Sequence, residues 1–160
     1  MATIAGMFHL WLFLHILGAI AAFGFGFYAP IYGRASAAEP QHANWFLRAT
    51  KRVSNGVLVP VAISMAVTGT LLVMSSGGMD RFRELWLTVA IVLYVVALVI
   101  VFAAQRPTLN KLIALTSTPP GPDGPSPELP ALVQRLQLLS MALLVLVIVI
   151  VGLMIWKPTL

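Results

Sequence analysis

The chain contains no cysteine, and charge is scarce: Asp, Glu, Lys and Arg together make up 9% of its 160 residues. The first absence excludes disulfides, thiolate metal centres and cysteine nucleophiles. The second excludes an ordinary water-facing surface, because a soluble domain carries about a quarter charged residues. The acids are Glu39, Asp80, Glu84, Asp123 and Glu128, and none lies inside a long apolar stretch. That argues against a carboxylate proton relay and against cation-coupled transport, since only hydroxyls and carbonyls remain to bind an ion in the apolar region. No two histidines stand three or four residues apart, so the helical spacings of zinc and di-iron sites are missing. There is no internal repeat of the inverted-transporter kind.

What the chain has is hydrophobicity, at 59% of its residues. Crossing the hydrocarbon layer as a helix takes about 20 apolar residues. Stretches of that length run from Phe8 to Ile31, Val53 to Met74, Leu85 to Ala104 and Leu136 to Trp156. They nearly exhaust the chain, so we expect an all-α membrane protein: one four-helix bundle occupying residues 1–160 as a single domain. Barrel strands would be shorter and would alternate in character. Trp11, Trp45, Trp86 and Trp156 fall near the ends of these stretches, as an aromatic belt does. Residues 1–8 carry no Lys or Arg and the first apolar stretch is long, so it is expected to be a retained span rather than a cleaved leader.

The net charge of +5 comes mainly from residues flanking the apolar stretches. Lipid headgroups, not nucleic acid, are the partners this pattern implies. The connection over 32–52 is expected to be a basic loop, with a short interfacial helix over His42 to Arg52. Residues 75–84 read as a tight turn whose two glycines permit positive φ. Residues 116–130 read as an extended linker holding Pro119, Pro120, Pro122, Pro125, Pro127 and Pro130. Arg34, Arg48, Lys51, Arg52, Arg106, Lys111 and Arg135 lie on one side and Arg81, Arg83 and Lys157 on the other. The positive-inside rule then places both termini outside, which is the periplasmic side of a bacterial inner membrane.

His15 is the residue most in need of an explanation, being an ionisable side chain about two turns into the first span. Gly18, Ala22 and Gly26 follow at three, seven and eleven residues and share its helical face. Such a stripe of small residues admits a neighbouring helix, or a flat macrocycle whose metal the imidazole would ligate. The plainer alternative is a neutral imidazole bonded to a carbonyl or hydroxyl of another helix. In the second span Ser64 and Thr68 are four apart and share a face, so either could orient His15. Pro60 there removes one backbone donor. Tyr94 lies deep in the third span and needs a partner for its hydroxyl. Met65, Met141 and Met154 are the soft side chains available as further ligands, and core packing is their alternative role. His9 reads as an interfacial residue and His42 as a loop residue.

Several of these features occur together in a known group. The run from Leu14-His15 to Phe27-Tyr28-Ala29-Pro30 resembles the first helix of HemJ-type protoporphyrinogen oxidases. A basic residue followed by Gly56, Pro60 and Gly69 is similar to their second helix. Trp156-Lys157-Pro158 resembles their ending. The chain is more similar still to bacterial four-helix proteins of domain-of-unknown-function family 2269, with copper-resistance CopD-like proteins as looser relatives. The resemblance implies haem b with His15 as an axial metal ligand. It also marks departures. No lysine follows Trp86, the fourth span opens with Leu136, Gln137, Leu138 and Leu139 rather than polar residues, and the Tyr-His pair ending the third helix is missing.

The expectation is therefore a HemJ-like membrane protein that binds haem b through His15, without the full oxidase residue set. The cofactor-binding residues would be His15, Gly18, Ala22, Gly26, Ser64 and Thr68. A non-enzymatic subunit of a larger respiratory or photosynthetic membrane complex, or a homodimer joined through the small stripe, is the competing expectation. Copper handling is the third.

Overall fold

The computed structural model of the protein describes residues 2–76, 78–117, 124 and 126–157. It contains four helices long and apolar enough to cross a membrane. Helix α1 runs Ala2–Ala38 and includes the span Met7–Phe27; α2 runs Ala43–Ser76, α3 Leu85–Leu115 and α4 Leu129–Trp156. The described residues contain no strand. Large apolar side chains face outward along every helix, among them Phe13 at 62%, Ile63 at 62%, Val92 at 55% and Leu138 at 64% exposed. In water that surface would drive aggregation; in lipid it is the solvated face.

Each helix outruns its apolar stretch. The basic loop expected over 32–52 contracts to Glu39 and the 3₁₀ turn Pro40–His42. The segment 32–38 contains no proline to stop the helix, and the break comes where Glu39 precedes Pro40, a position that disfavours helical backbone. The segment expected to be a separate interfacial helix is instead the first part of α2, continuous with its span. Helix α3 continues past Ala104 to Leu115, and α4 starts at Leu129, with Pro130 in its first turn where the missing N–H has no intrahelical partner to lose. The turn near residue 80 is a 3₁₀ helix, Gly78–Arg83, and Gly78 does not use positive φ. Gly77, residues 118–123, Pro125 and Pro158, on which other parts of the loop expectations rest, lie outside the described residues.

The helices pack in a ring. Helix α1 lies along α2 and α4, and α4 along α3. Helices α2 and α3 meet at one end only. There Asn44 donates to Ile113 O and to Thr116 Oγ1, both at 2.9 Å, and Arg48 donates to Asn44 Oδ1 at 2.7 Å. Toward the other end, among the described residues, no Cα of Val59–Ser76 comes within 8 Å of one in Leu85–Val99. The Tyr94 hydroxyl bridges that wider gap by donating to Ala62 O. The partner sought for Tyr94 is thus a main-chain carbonyl of α2.

Three prolines sit inside these helices, Pro30 in α1, Pro60 in α2 and Pro107 in α3, and a π turn precedes each of the last two. Val59 N–H donates to Ser54 O, five residues back, just before Pro60. Arg106 N–H donates to Val101 O in the same way, just before Pro107. A proline ring in a regular helix collides with the carbonyl four residues upstream. One extra residue in the preceding turn moves that carbonyl away and lets the helix continue.

Close approach of α1 relies on its glycines. A Cβ built on Gly18 would lie 2.6 Å from Met65 Sδ, and one on Gly26 would lie 2.9 Å from Leu144 Cδ1. Gly24 has nothing within 4 Å. Gly26→Leu should therefore force α1 and α4 apart at a cost of about 1–3 kcal/mol. Gly24→Leu should stay within about 0.5 kcal/mol once the gain in helix propensity common to both is subtracted. Unfolding midpoints of the two variants in the same detergent read the difference directly.

Candidate functional site

The polar centre of the bundle is the junction of α1 with α2. His15, half-buried, projects from α1 toward Thr68, which is 6% exposed. Its Nδ1 lies 3.0 Å from Thr68 Oγ1. Thr68 Oγ1 in turn lies 2.7 Å from Ser64 O, one helical turn back, and 3.4 Å from Met65 O. A threonine hydroxyl has one hydrogen. Its nearest acceptor is the Ser64 carbonyl, so toward His15 the oxygen can only accept. For a neutral ring this fixes the tautomer: Nδ1 carries the hydrogen and Nε2 keeps a free lone pair.

The floor under the ring is Gly69. A Cβ added there would lie 3.2 Å from His15 Cε1, tighter than ordinary van der Waals contact. Thr68 and Gly69 are consecutive, so one supplies the acceptor for Nδ1 and the other the space for the ring edge. The local sequence of α2 allows this because the hydroxyls flanking Thr68 bond back to their own helix, Ser64 Oγ to Val61 O at 2.8 Å and Thr70 Oγ1 to Ala66 O at 2.9 Å. They leave no hydroxyl hydrogen idle in an apolar surrounding.

The structure brings His15, Thr68 and Gly18 to one interhelical seam. Ser64 acts there through its carbonyl and not its hydroxyl. Gly18 is buried against Met65, Ala22 is half-buried further along, and Gly26 meets Leu144 of α4. The small-residue stripe thus packs against side chains of this same chain. Met65 is the methionine at the seam, while Met141 is 52% exposed on α4. His9 stacks edge-on against Phe8, and His42 lies 3.8 Å from Glu39 in an exposed pair. Among the described residues no group of three or more His, Cys, Asp or Glu side chains could hold a metal ion.

Gly69 as the floor of the imidazole was not foreseen. The signal available was its position directly after Thr68, on the face that Thr68 presents to α1. A second polar cluster also went unread, where α2 and α3 meet. Arg106 donates to Asn55 Oδ1 there, and its guanidinium lies 4.7 Å from the centre of the Phe102 ring. Pro60 and Pro107 were the available signals, since each demands a local departure from the α-helix.

The sequence profile of a family described as predicted integral membrane protein (DUF2269) matches residues 9–158. No curated protein and no solved structure matches the chain.

Thr68→Val removes the hydroxyl acceptor at Nδ1 while keeping the side-chain shape. It should cost about 0.6 kcal/mol and at most about 1.7, the range for hydrogen bonds between membrane helices. Nitrogen NMR of ring-labelled histidine should show a single Nδ1–H tautomer for His15 in the parent protein and in Thr68→Ser, and a mixture in Thr68→Val. An unchanged spectrum in Thr68→Val would rule out the assigned donor and acceptor roles.

Proposed function

We propose that this chain, which belongs to the DUF2269 family of predicted integral membrane proteins, binds haem b inside the membrane through Nε2 of His15. The observation that carries the reading is the pinned Nδ1: Thr68 accepts its hydrogen at 3.0 Å and leaves Nε2 as a bare donor. Metal-ligating histidines have this arrangement, with the second ring nitrogen bonded to an outer partner that sets tautomer and orientation. Haem iron takes imidazole as an axial ligand in many settings. The likeness of the first helix to that of the HemJ-type proteins points to the same group.

The residues fit the ligand role better than they fit a ring lying along the stripe. Met65 and Leu144 rest against Gly18 and Gly26. A macrocycle over that face requires both side chains to swing aside. Met65 is unbranched with a mobile thioether end, and it is also the soft donor nearest the seam. When bound, haem would supply one-electron chemistry. This chain's own contribution is to hold the ligating nitrogen deprotonated and to keep bulk water away.

The role is redox or haem-related rather than oxidation of protoporphyrinogen. That reaction has to move protons as well as electrons, and the lysine and the polar helix ends that resembling proteins carry have no counterpart here. The setting we propose is a bacterial inner membrane with both termini on the periplasmic side, following the excess of Lys and Arg at the opposite helix ends.

The test is an absorption spectrum of the detergent-purified protein after expression with haem supply. A Soret band is expected, lost in His15→Ala. In Thr68→Val, haem affinity should fall about 10–100-fold, the usual effect of removing an outer partner of a ligand. No Soret band in the parent protein, or equal haem content in His15→Ala, would refute the reading.

A further inference from the structure

Where α2 and α3 meet, beside the polar residues that flank their irregular turns, lies a cleft of about 130 Å³ lined by Lys51, Ser54, Asn55, Arg106, Leu109 and Asn110. Neither the haem reading nor the fold itself uses it. Its lining is one-sided in charge. It holds two cations, two amides and a hydroxyl, with no carboxylate. The described acids at this end of the bundle are engaged elsewhere: Glu39 with His42, and Glu128 with Lys111 at 2.6 Å.

The donors are also arranged. Arg106 donates to Asn55 Oδ1, which spends the acceptor end of that amide and leaves both Nδ2 hydrogens free. The Phe102 ring covers one face of the guanidinium at 4.7 Å, so its remaining N–H groups are presented edge-on. Lys51 is exposed and makes no hydrogen bond or ion pair within the described residues. A volume of 130 Å³ equals the liquid share of about four waters, enough for one tetrahedral oxyanion.

The depth selects the ligand. Lys51 stands just before the apolar run that begins at Val53, and Arg106 just after the one that ends near Ala104. The cleft therefore opens where hydrocarbon gives way to headgroups. We infer that it binds the phosphate of an anionic phospholipid headgroup, held by Lys51, Arg106 and the Asn55 amide. A zwitterionic headgroup brings its own cation to a site with no acid to receive it, so net-anionic lipids are preferred.

The experiment is native mass spectrometry of the full chain in detergent, titrated with phosphatidylglycerol or phosphatidylcholine, with and without excess inorganic phosphate. The parent protein should retain one phosphatidylglycerol in preference to phosphatidylcholine. Lys51→Glu and Asn110→Asp, both at exposed positions, should each weaken that retention about tenfold. Arg83→Glu, exposed in the 3₁₀ turn that precedes α3 at the opposite end of the bundle, should leave it unchanged and serves as the control for general charge attraction. Displacement of the lipid by inorganic phosphate would assign the same phosphate site to a free anion; persistence of the lipid assigns it to the headgroup. Equal retention of the two lipids, full retention in Lys51→Glu, or an equal loss in Arg83→Glu would each overturn the inference.

Discussion

Inside a bilayer no water answers a stray hydrogen-bonding group, and the few polar contacts of this protein follow from that constraint. The hydroxyls of Ser64, Thr68, Thr70, Ser75 and Ser76 bond back to their own helix, and of these only Thr68 also reaches outward, to His15. Tyr94 needs a partner at depth and takes the Ala62 carbonyl. Gln105 donates to Ser140 Oγ at 3.3 Å across α3 and α4. No buried side-chain nitrogen or oxygen among the described residues lacks a partner. Apolar burial cannot organise the bundle, because lipid tails solvate leucine as well as another helix does. Close packing at glycine and a handful of directed hydrogen bonds set the register instead.

The same constraint explains the paired π turns. A proline within a span removes a donor and strands a carbonyl, which lipid cannot satisfy. Pro60 and Pro107 each follow a widened turn, and the side chains at those turns are the polar ones, Ser54 and Asn55 in α2 and Gln105 and Arg106 in α3. Both irregular turns lie at the end of the bundle where headgroups and water are within reach. Irregularity is thus confined to depths where it is cheap, and the deeper halves of the helices stay regular.

The number and type of the spans were legible from hydropathy, because the solvent demands it. The helix ends were not. Hydropathy marks where lipid stops, whereas a helix stops where its backbone loses support, as at Glu39 before Pro40. His15 was legible as an anomaly, and Thr68 as a partner on the right face. The partners of the glycine stripe were not, since nothing in α1 says whether Gly18 meets a cofactor or Met65. The π turns defeat a sequence-based helical wheel altogether. One residue inserted into a turn rotates everything upstream by about 100°, so a regular wheel drawn through α2 misplaces Lys51 relative to Thr68. The cleft further depends on residues of two different helices, Lys51 to Asn55 and Arg106 to Asn110, being brought together, which is a tertiary fact.

The two polar sites are separable, and α2 is what separates them. From Asn55 to Thr68 the helix rises about 20 Å, and Pro60 stands between. Upstream of Pro60, α2 meets α3 through Asn44 and Asn55 and carries Arg48, Lys51 and Arg52. Downstream of it α2 packs along α1 and its side chains are neutral. A carboxylate at position 68 would hold the imidazole more firmly than a hydroxyl does, but it would place a charge in hydrocarbon whenever the ring is neutral. Threonine avoids that cost, because its hydrogen goes to its own helix and its lone pair to the ring. The interior can then present a fixed, uncharged nitrogen donor, while every formal charge of the described spans stays at the level of the headgroups.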